Sequence, residues 1–263
     1  MKFIYIHTLK RKLKVSKKYS RLYLNLTLFL LNIALVNLIT NKIIRNSNNH
    51  DSIIRLVIQG GGDQKILSDV FYQKPFAVYV NDRYDSWCDK RCNLGSGEND
   101  VTLKFNDDID SCEYMFEYLD NITEVDLSDF DASKVTSMYR MFYGCSNLTK
   151  IKFGNINTQS LKDMESLFEG CSKLISVDLS KFDTSKVTTM NSMFYEWLNL
   201  VEINLGNIDT SSLENMEYLF CDCSKLVSID ISNFNTSKVT TMFCLFCYSK
   251  KLENINLGNI NMK

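Results

Sequence analysis

Histidine is almost missing from this chain: His7 and His50 are the only two among 263 residues, and both precede the repetitive body described below. Imidazole is the side chain that exchanges a proton near neutral pH, so any mechanism needing a histidine base in the body is excluded. Acidic residues are missing from the first 50 positions. All 31 of them lie at or after Asp51, whereas 10 of the 30 Lys and Arg lie before it, which leaves 20 positive against 31 negative residues, a net of −11, in the remainder. Phosphate neutralisation needs a positive surface, so the acidic body argues against a nucleic-acid partner. Cysteine is absent before Cys88. The leader therefore carries no lipoprotein-type attachment site. The nine cysteines that follow are an odd number and do not make a closed disulfide framework.

The leader is basic and then apolar. Residues 1–21 hold eight Lys and Arg, and residues 22–41 are uncharged. A run of that length suits a hydrocarbon core, although Asn25, Asn32 and Asn37 interrupt it. The positive charges before the run outnumber Lys42 and Arg45 behind it, which orients the N-terminus inside and the body outside. No A-x-A-like cleavage site follows, so a transmembrane signal-anchor is favoured over a cleaved signal peptide. On this reading the chain touches a membrane through residues 22–41, and residues 42–51, which are polar and Asn-rich, form a linker.

Residues 52–111 carry three β-branched and aromatic runs, Ile53–Ile58, Phe76–Val80 and Val101–Phe105, bounded by Gly, Asn and Asp. These predict strands, with turns at Gly60-Gly61-Gly62-Asp63 and Asn81-Asp82. The glycine run lacks the Lys-Ser/Thr of a phosphate loop and is read as a turn. Such a β module would cap the open edge of the first repeat. Cys88 and Cys92, with Cys112 nearby in sequence, offer one disulfide among them if the body lies outside the cell, or are free or buried thiols.

From Cys112 onward the chain repeats. Leu174 to Asn199, LISVDLSKFDTSKVTTMNSMFYEWLN, recurs upstream as Leu148 to Lys173 and downstream as Leu200 to Lys225. Met138, Met164, Met190, Met216 and Met242 stand 26 residues apart. The frame L-x-x-L-x-L appears as Leu174-x-x-Val177-x-Leu179 and its counterparts, with an early copy at Ile122-x-x-Val125-x-Leu127. Ser128, Gly154, Ser180, Gly206, Ser232 and Gly258 alternate, as do Phe130, Ile156, Phe182, Ile208, Phe234 and Ile260, so the full period is a pair of unlike copies, 52 residues. Alternation around Val177 and Leu179 predicts a strand, Asp183-Thr184-Ser185-Lys186 a polar turn, and Val187, Met190, Met193 and Phe194 a short helix.

The prediction for residues 112–263 is an α/β repeat solenoid, leucine-rich-repeat-like, preceded by the β capping module and an N-terminal hydrophobic helix. Asp131, Asn157, Asp183 and their counterparts, with the Thr that follows each of the latter two, read as turn caps in preference to a Ca²⁺ site. Cys145, Cys171 and Cys223 share a column with Trp197 and read as apolar filler. Cys221, Cys223, Cys244 and Cys247 have poor spacing for zinc. No cofactor, metal or catalytic residue is therefore assigned.

The residues Val177-Asp-Leu-Ser-x-Phe-Asp-Thr-Ser-Lys-Val-Thr-x-Met190, Met193-Phe194 and the Gly-Cys-Ser triplets at Gly144 and Gly170 resemble the BspA-like leucine-rich-repeat surface proteins, in the subgroup with the Mycoplasma-type repeat of unknown function. The stretch Ile58–Ile66 is similar to the β segment often placed before such repeats. The resemblance implies an extracellular or surface-anchored protein that binds or adheres, with no enzymatic role, and supplies no ligand.

The expected function is therefore a non-enzymatic surface binding module for a protein or glycan partner. Its contact face would be the outward strand positions Asp126, Lys152, Asp178, Asn204, Asp230 and Asn256, flanked by Glu124, Lys150, Ser176, Glu202, Ser228 and Asn254. The alternative is a structural surface protein that self-associates through its last rung, where Leu252, Ile255, Leu257 and Ile260 would be uncovered.

Overall fold

The computed structural model describes residues 51–105, 109–258 and 260. They belong to one compact unit, Asp51–Lys263. The basic segment 1–21, the apolar run 22–41 and the linker up to His50 lie outside the described residues.

Twelve strands follow in chain order: β1 (Ser52–Gln59), β2 (Gly62–Lys65), β3 (Ala77–Val80), β4 (Arg83–Tyr84), β5 (Arg91–Leu94) and β6 (Glu98–Phe105) before the repeats, then β7 (Ile122–Asp129), β8 (Lys150–Lys152), β9 (Ser176–Asp178), β10 (Glu202–Asn204), β11 (Ser228–Asp230) and β12 (Asn254–Asn256) within them. The longest early strands form where apolar and polar residues alternate, and each buries one face. In β1, Ile54, Leu56 and Ile58 are buried while Arg55 and Gln59 are exposed. In β6, Val101, Leu103 and Phe105 face the same core.

β1 organises the first sheet. It pairs antiparallel with β6 along its whole length, Ser52 opposite Phe105 and Gln59 opposite Glu98. Its other edge pairs antiparallel with β7, the first strand of the repeats, which in turn pairs parallel with β8. The order is β4-β3-β6-β1-β7-β8. Asn81 and Asp82, at φ 50° and 63°, make the tight turn between β3 and β4, as two-residue hairpins require. Residues Gly60 to Gly62 also turn, and buried Asn99 ties them down by donating to the Gly60 carbonyl (3.1 Å) and the Gly95 carbonyl (2.9 Å).

The expected α/β solenoid is not what forms, and the leucine-rich-repeat-like reading falls with it. Among the described residues there is no helix. The segment read as helical is a run of tight turns. The N–H groups of Met138, Arg140, Phe142 and Gly144 donate to Asp163, Glu165, Leu167 and Glu169 of the next copy at 2.8 to 3.0 Å, while Met141, Tyr143 and Cys145 donate to the residue three earlier at 3.1 to 3.2 Å. An α-helix needs each N–H for the carbonyl four residues back, so the two patterns exclude each other. Two left-handed residues per copy also break any right-handed helix: Arg140 and Gly144 at φ 52° and 68°, Ser192 and Glu196 at 53° and 55°. The sheet is not continuous either. β9 pairs only with β10, and β11 only with β12, so the repeat strands make small separate sheets. The transmembrane reading is likewise not carried forward: no helix among the described residues is long and apolar enough to cross a membrane, and residues 22–41 fall outside them.

The turn side, by contrast, is bonded from copy to copy. Parallel bridges link Ser111 to Ser137, Asp163, Thr189, Asn215 and Thr241 in succession. Beneath them the rings of Phe116, Phe142, Phe168, Phe194, Phe220 and Phe246 stack in file with centroids 5.3 to 6.0 Å apart. On the strand side, backbone pairing joins copies two by two, β7 to β8, β9 to β10 and β11 to β12, with no pairing from β8 to β9 or from β10 to β11. The Ser/Gly alternation follows this pairing. A side chain at Gly154, Gly206 or Gly258 would come within 2.8, 2.5 and 2.5 Å of Ser128, Ser180 and Ser232, its partner within the pair. Glycine at φ near 60° therefore lets each second copy seat on the first.

Candidate functional site

The predicted face is divided by this pairing. Asp126 and Lys152 lie opposite each other on β7 and β8 and form an ion pair at 3.1 Å, beside Glu124 and Lys150 at 2.7 Å. These four residues, with Arg55, line a hollow of about 320 Å³. Asp178 and Asn204 are opposite each other on β9 and β10, exposed, and outside both hollows. Asp230 and Asn256 pair on β11 and β12, where the Asn256 amide donates to Asp230 Oδ2 at 3.0 Å. They lie in a larger groove of about 850 Å³ that spans the unpaired seam between β10 and β11. Glu202, Ser228 and Asn254, the flanking positions, line the same groove with Val201, Ile203 and Ile255.

Much of the polar capacity of this face is used by the fold. Asp126, Asp178, Asn204, Asp230 and Asn256 each accept, through Oδ1, the N–H two residues on, at 2.8 to 3.3 Å. The hydrogen bonds from Ser180 hold the Asp178 carboxyl below its usual range, and those from Ser232 do the same for Asp230. For Asp126, burial works the other way, yet the bonds from Ser128 and Lys152 outweigh it. Alongside the strands runs an apolar stripe, Ile175, Val201 and Val227, with exposures of 58, 58 and 44%.

The turns behave only partly as predicted. Asp183 Oδ1 accepts the Ser185 N–H at 3.1 Å and Asp209 Oδ1 the Ser211 N–H at 2.8 Å, which is the expected capping. The threonines instead reach the next copy. Buried Thr184 donates to the Asp209 carbonyl and accepts the Asp209 N–H, both at 2.9 Å. The cysteine column is also more than filler. Cys145, Cys171 and Cys223 donate from Sγ to the carbonyls of Phe116, Phe142 and Phe194 at 3.0 to 3.2 Å. In the same column Trp197 Nε1 donates to Leu174 O and Ser249 Oγ to Phe220 O, so every one of these members carries a hydrogen. Burial pushes the Cys145 and Cys223 thiols up to about 12, which keeps them protonated and unreactive. Cys88–Cys92 and Cys244–Cys247 are disulfides, and Cys221 and Cys223 are free.

A second face went unread in the sequence. On the outer side of the turns, Glu113, Tyr139, Glu165, Asn191, Glu217 and Phe243 form one column, and Glu117, Tyr143, Glu169 and Tyr195 begin another. Acidic copies alternate with aromatic ones at the 52-residue period, except that Asn191 replaces a ring in the first column and Cys221 and Cys247 end the second, a signal present in the sequence once these columns are aligned. The rings meet edge to face: Tyr114 with Tyr139 at 5.2 Å, Tyr118 with Tyr143 at 5.0 Å, Tyr195 with Tyr218 at 6.2 Å and Tyr218 with Phe243 at 5.4 Å. Arg140 lies over Tyr143 (4.4 Å to the centroid) and Tyr139 (5.4 Å), with Glu117 at 3.6 Å. Burial raises the carboxyls of Glu165 and Glu169 above their usual range.

A family model described as "Mycoplasma protein of unknown function, DUF285" matches residues 110–204 and, overlapping, 176–263. Comparison with curated proteins and with solved structures found no match. The matched residues span all six bridged copies and the whole predicted face, and they make up more than half of the chain. The chain therefore belongs to the DUF285 family of Mycoplasma-type proteins of unknown function.

Proposed function

We propose that this chain is a non-enzymatic, surface-exposed binding module whose strand face engages a protein or glycan partner. The observation that carries the reading is the groove of about 850 Å³ across the β10–β11 seam, because it gathers Asp230 and Asn256 of the predicted face with Glu202, Ser228 and Asn254 in one mostly polar hollow. The exposed stripe Ile175, Val201 and Val227 favours a protein among the two partner classes, since it offers apolar area beside that groove. Two disulfides suit an oxidising compartment outside the cell. The buried, protonated thiols of Cys145 and Cys223 support a role without nucleophilic chemistry. The likeness to BspA-like surface proteins points the same way.

The test is binding of the labelled full chain to intact cells and to arrayed glycans, with Ser228→Lys/Asn254→Lys as the blocking variant. Both positions are exposed and line the groove. Loss of at least about tenfold in affinity is expected, as for groups at an interface centre. Unchanged binding by a folded variant would remove the groove from the function. Light scattering on the same samples reads the second possibility, self-association through the last rung.

A further inference from the structure

The turn face carries its own recognition chemistry, separate from the strand groove. Arg140 shows what this face accommodates. Its guanidinium lies across Tyr139 and Tyr143, 5.4 and 4.4 Å from their centroids, while Glu117 balances the charge at 3.6 Å. Cation over ring with a carboxylate alongside is a mutually reinforcing arrangement. Further along, Tyr195 stands in the Tyr143 column and Phe243 in the Tyr139 column, while Tyr218 of the copy between them takes the place of Arg140 itself. Tyr195, Tyr218 and Phe243 form a ladder with centroids 6.2 and 5.4 Å apart, and the positions equivalent to Arg140 hold Ser192 and Cys244 in the flanking copies. Burial, and after it the neighbouring Glu196 carboxylate, push the Tyr195 hydroxyl up to about 12, and Glu217 accepts from Thr241. No Lys or Arg occurs between Lys186 and Lys225, nor between Lys238 and Lys250. Phe243 is 60% exposed, so the ladder opens to solvent at one end.

We propose that Tyr195, Tyr218 and Phe243, with Glu196 and Glu217 beside them, bind guanidinium or ammonium side chains of a basic peptide segment. The charge argument selects the occupant: two carboxylates beside half-buried Tyr195 and Tyr218 and exposed Phe243, in a stretch without Lys or Arg, attract a cation and repel an acidic chain. Arg140 over Tyr139 and Tyr143 shows that a guanidinium seats on rings of this face, and in the ladder a ring, Tyr218, stands where that guanidinium is anchored. Guanidinium is preferred over ammonium because it can lie flat on a ring while its N–H groups reach a carboxylate.

The experiment is calorimetric titration of the full chain with a hexa-arginine peptide. Phe243→Leu and Tyr195→Leu are each expected to weaken binding about tenfold, from loss of a ring under a cation. Tyr195→Phe keeps the ring and is expected to stay within about twofold. Glu217→Gln, which leaves every ring in place, is expected to weaken binding about threefold and to flatten its salt dependence. Arg140→Ser, which installs the residue already present at Ser166 and Ser192 in that column, vacates the first aromatic pair and should raise the number of peptides bound. The groove variant Ser228→Lys/Asn254→Lys should leave this affinity unchanged, so that failure here and failure of the strand-face reading are told apart. Leucine variants that bind as well as the parent would reduce the effect to bulk charge and overturn the proposal. Displacement of the peptide by a neutral oligosaccharide would assign the ladder to sugar rings and overturn it equally.

Discussion

At the scale of single residues, the bonds between copies rest on small polar groups at fixed positions. Thr184 spends one oxygen on two hydrogen bonds to Asp209, both at 2.9 Å, and is 1% exposed. Thr184→Val keeps the shape and strands a buried N–H and carbonyl, so urea unfolding should report a loss of about 1–3 kcal/mol. Gly206→Ala is expected to cost more than Gly62→Ala in the same assay. Both need left-handed backbone, at φ 58° and 75°, but a methyl at 206 would meet Ser180 at 2.5 Å whereas at 62 nothing lies within 4 Å. The second change should cost about 1 kcal/mol from backbone strain alone. The alternation of Ser and Gly was legible in the sequence, and so were the Asp183 and Asp209 caps. The reach of Thr184 into the next copy was not, because a hydroxyl beside a turn has local and distant acceptors and spacing alone does not choose between them.

At the scale of elements, the strand side of the repeats has seams. Val201 donates its N–H to Ile175 O at 3.1 Å, and Glu253 donates to Val227 O at 2.9 Å, but the equivalent bond from Val227 to Val201 does not form. Native-state hydrogen exchange should therefore find the Val227 amide at least about tenfold faster than those of Val201 and Glu253, since opening a seam needs no bond to break. Equal protection at all three would place a closed ladder where the structure has a gap. The early strands could be foreseen from β-branched runs such as Ile53–Ile58, whose alternation leaves one folding option. The missing helices could not. Val187, Met190, Met193 and Phe194 recur at i, i+3, i+6 and i+7, and a series of tight turns that faces one core every three or four residues writes the same pattern. What decides is the backbone partner, and in a stacked array the next copy supplies carbonyls that an isolated segment would lack.

At the scale of the whole molecule, two sets of carboxyls respond to acid with opposite sign. Hydrogen bonds from Ser180 and Ser185 hold Asp178 and Asp183 below the ordinary 3.8. Their contribution is present above 3.8 and is lost as pH falls through the depressed folded values. Burial holds Glu165 and Glu169 above the ordinary 4.5. Their contribution is full below 4.5 and is lost as pH rises through the elevated folded values. Melting temperature should thus rise on going from pH 7 to about 5 and fall below about 4. A steady decline from pH 7 downward would mean that the turn-face carboxyls are better solvated than described. The charge asymmetry and the copy length were readable from composition and spacing. The division of the predicted face between two hollows was not, because it depends on which neighbouring strands pair. That choice has a consequence for how such a chain can grow. A copy bearing Gly206 sits only against one bearing serine, so the heritable quantum of lengthening is the couplet: a duplication of 52 residues inserts without disturbance, whereas one of 26 sets like against like and leaves a misfit joint.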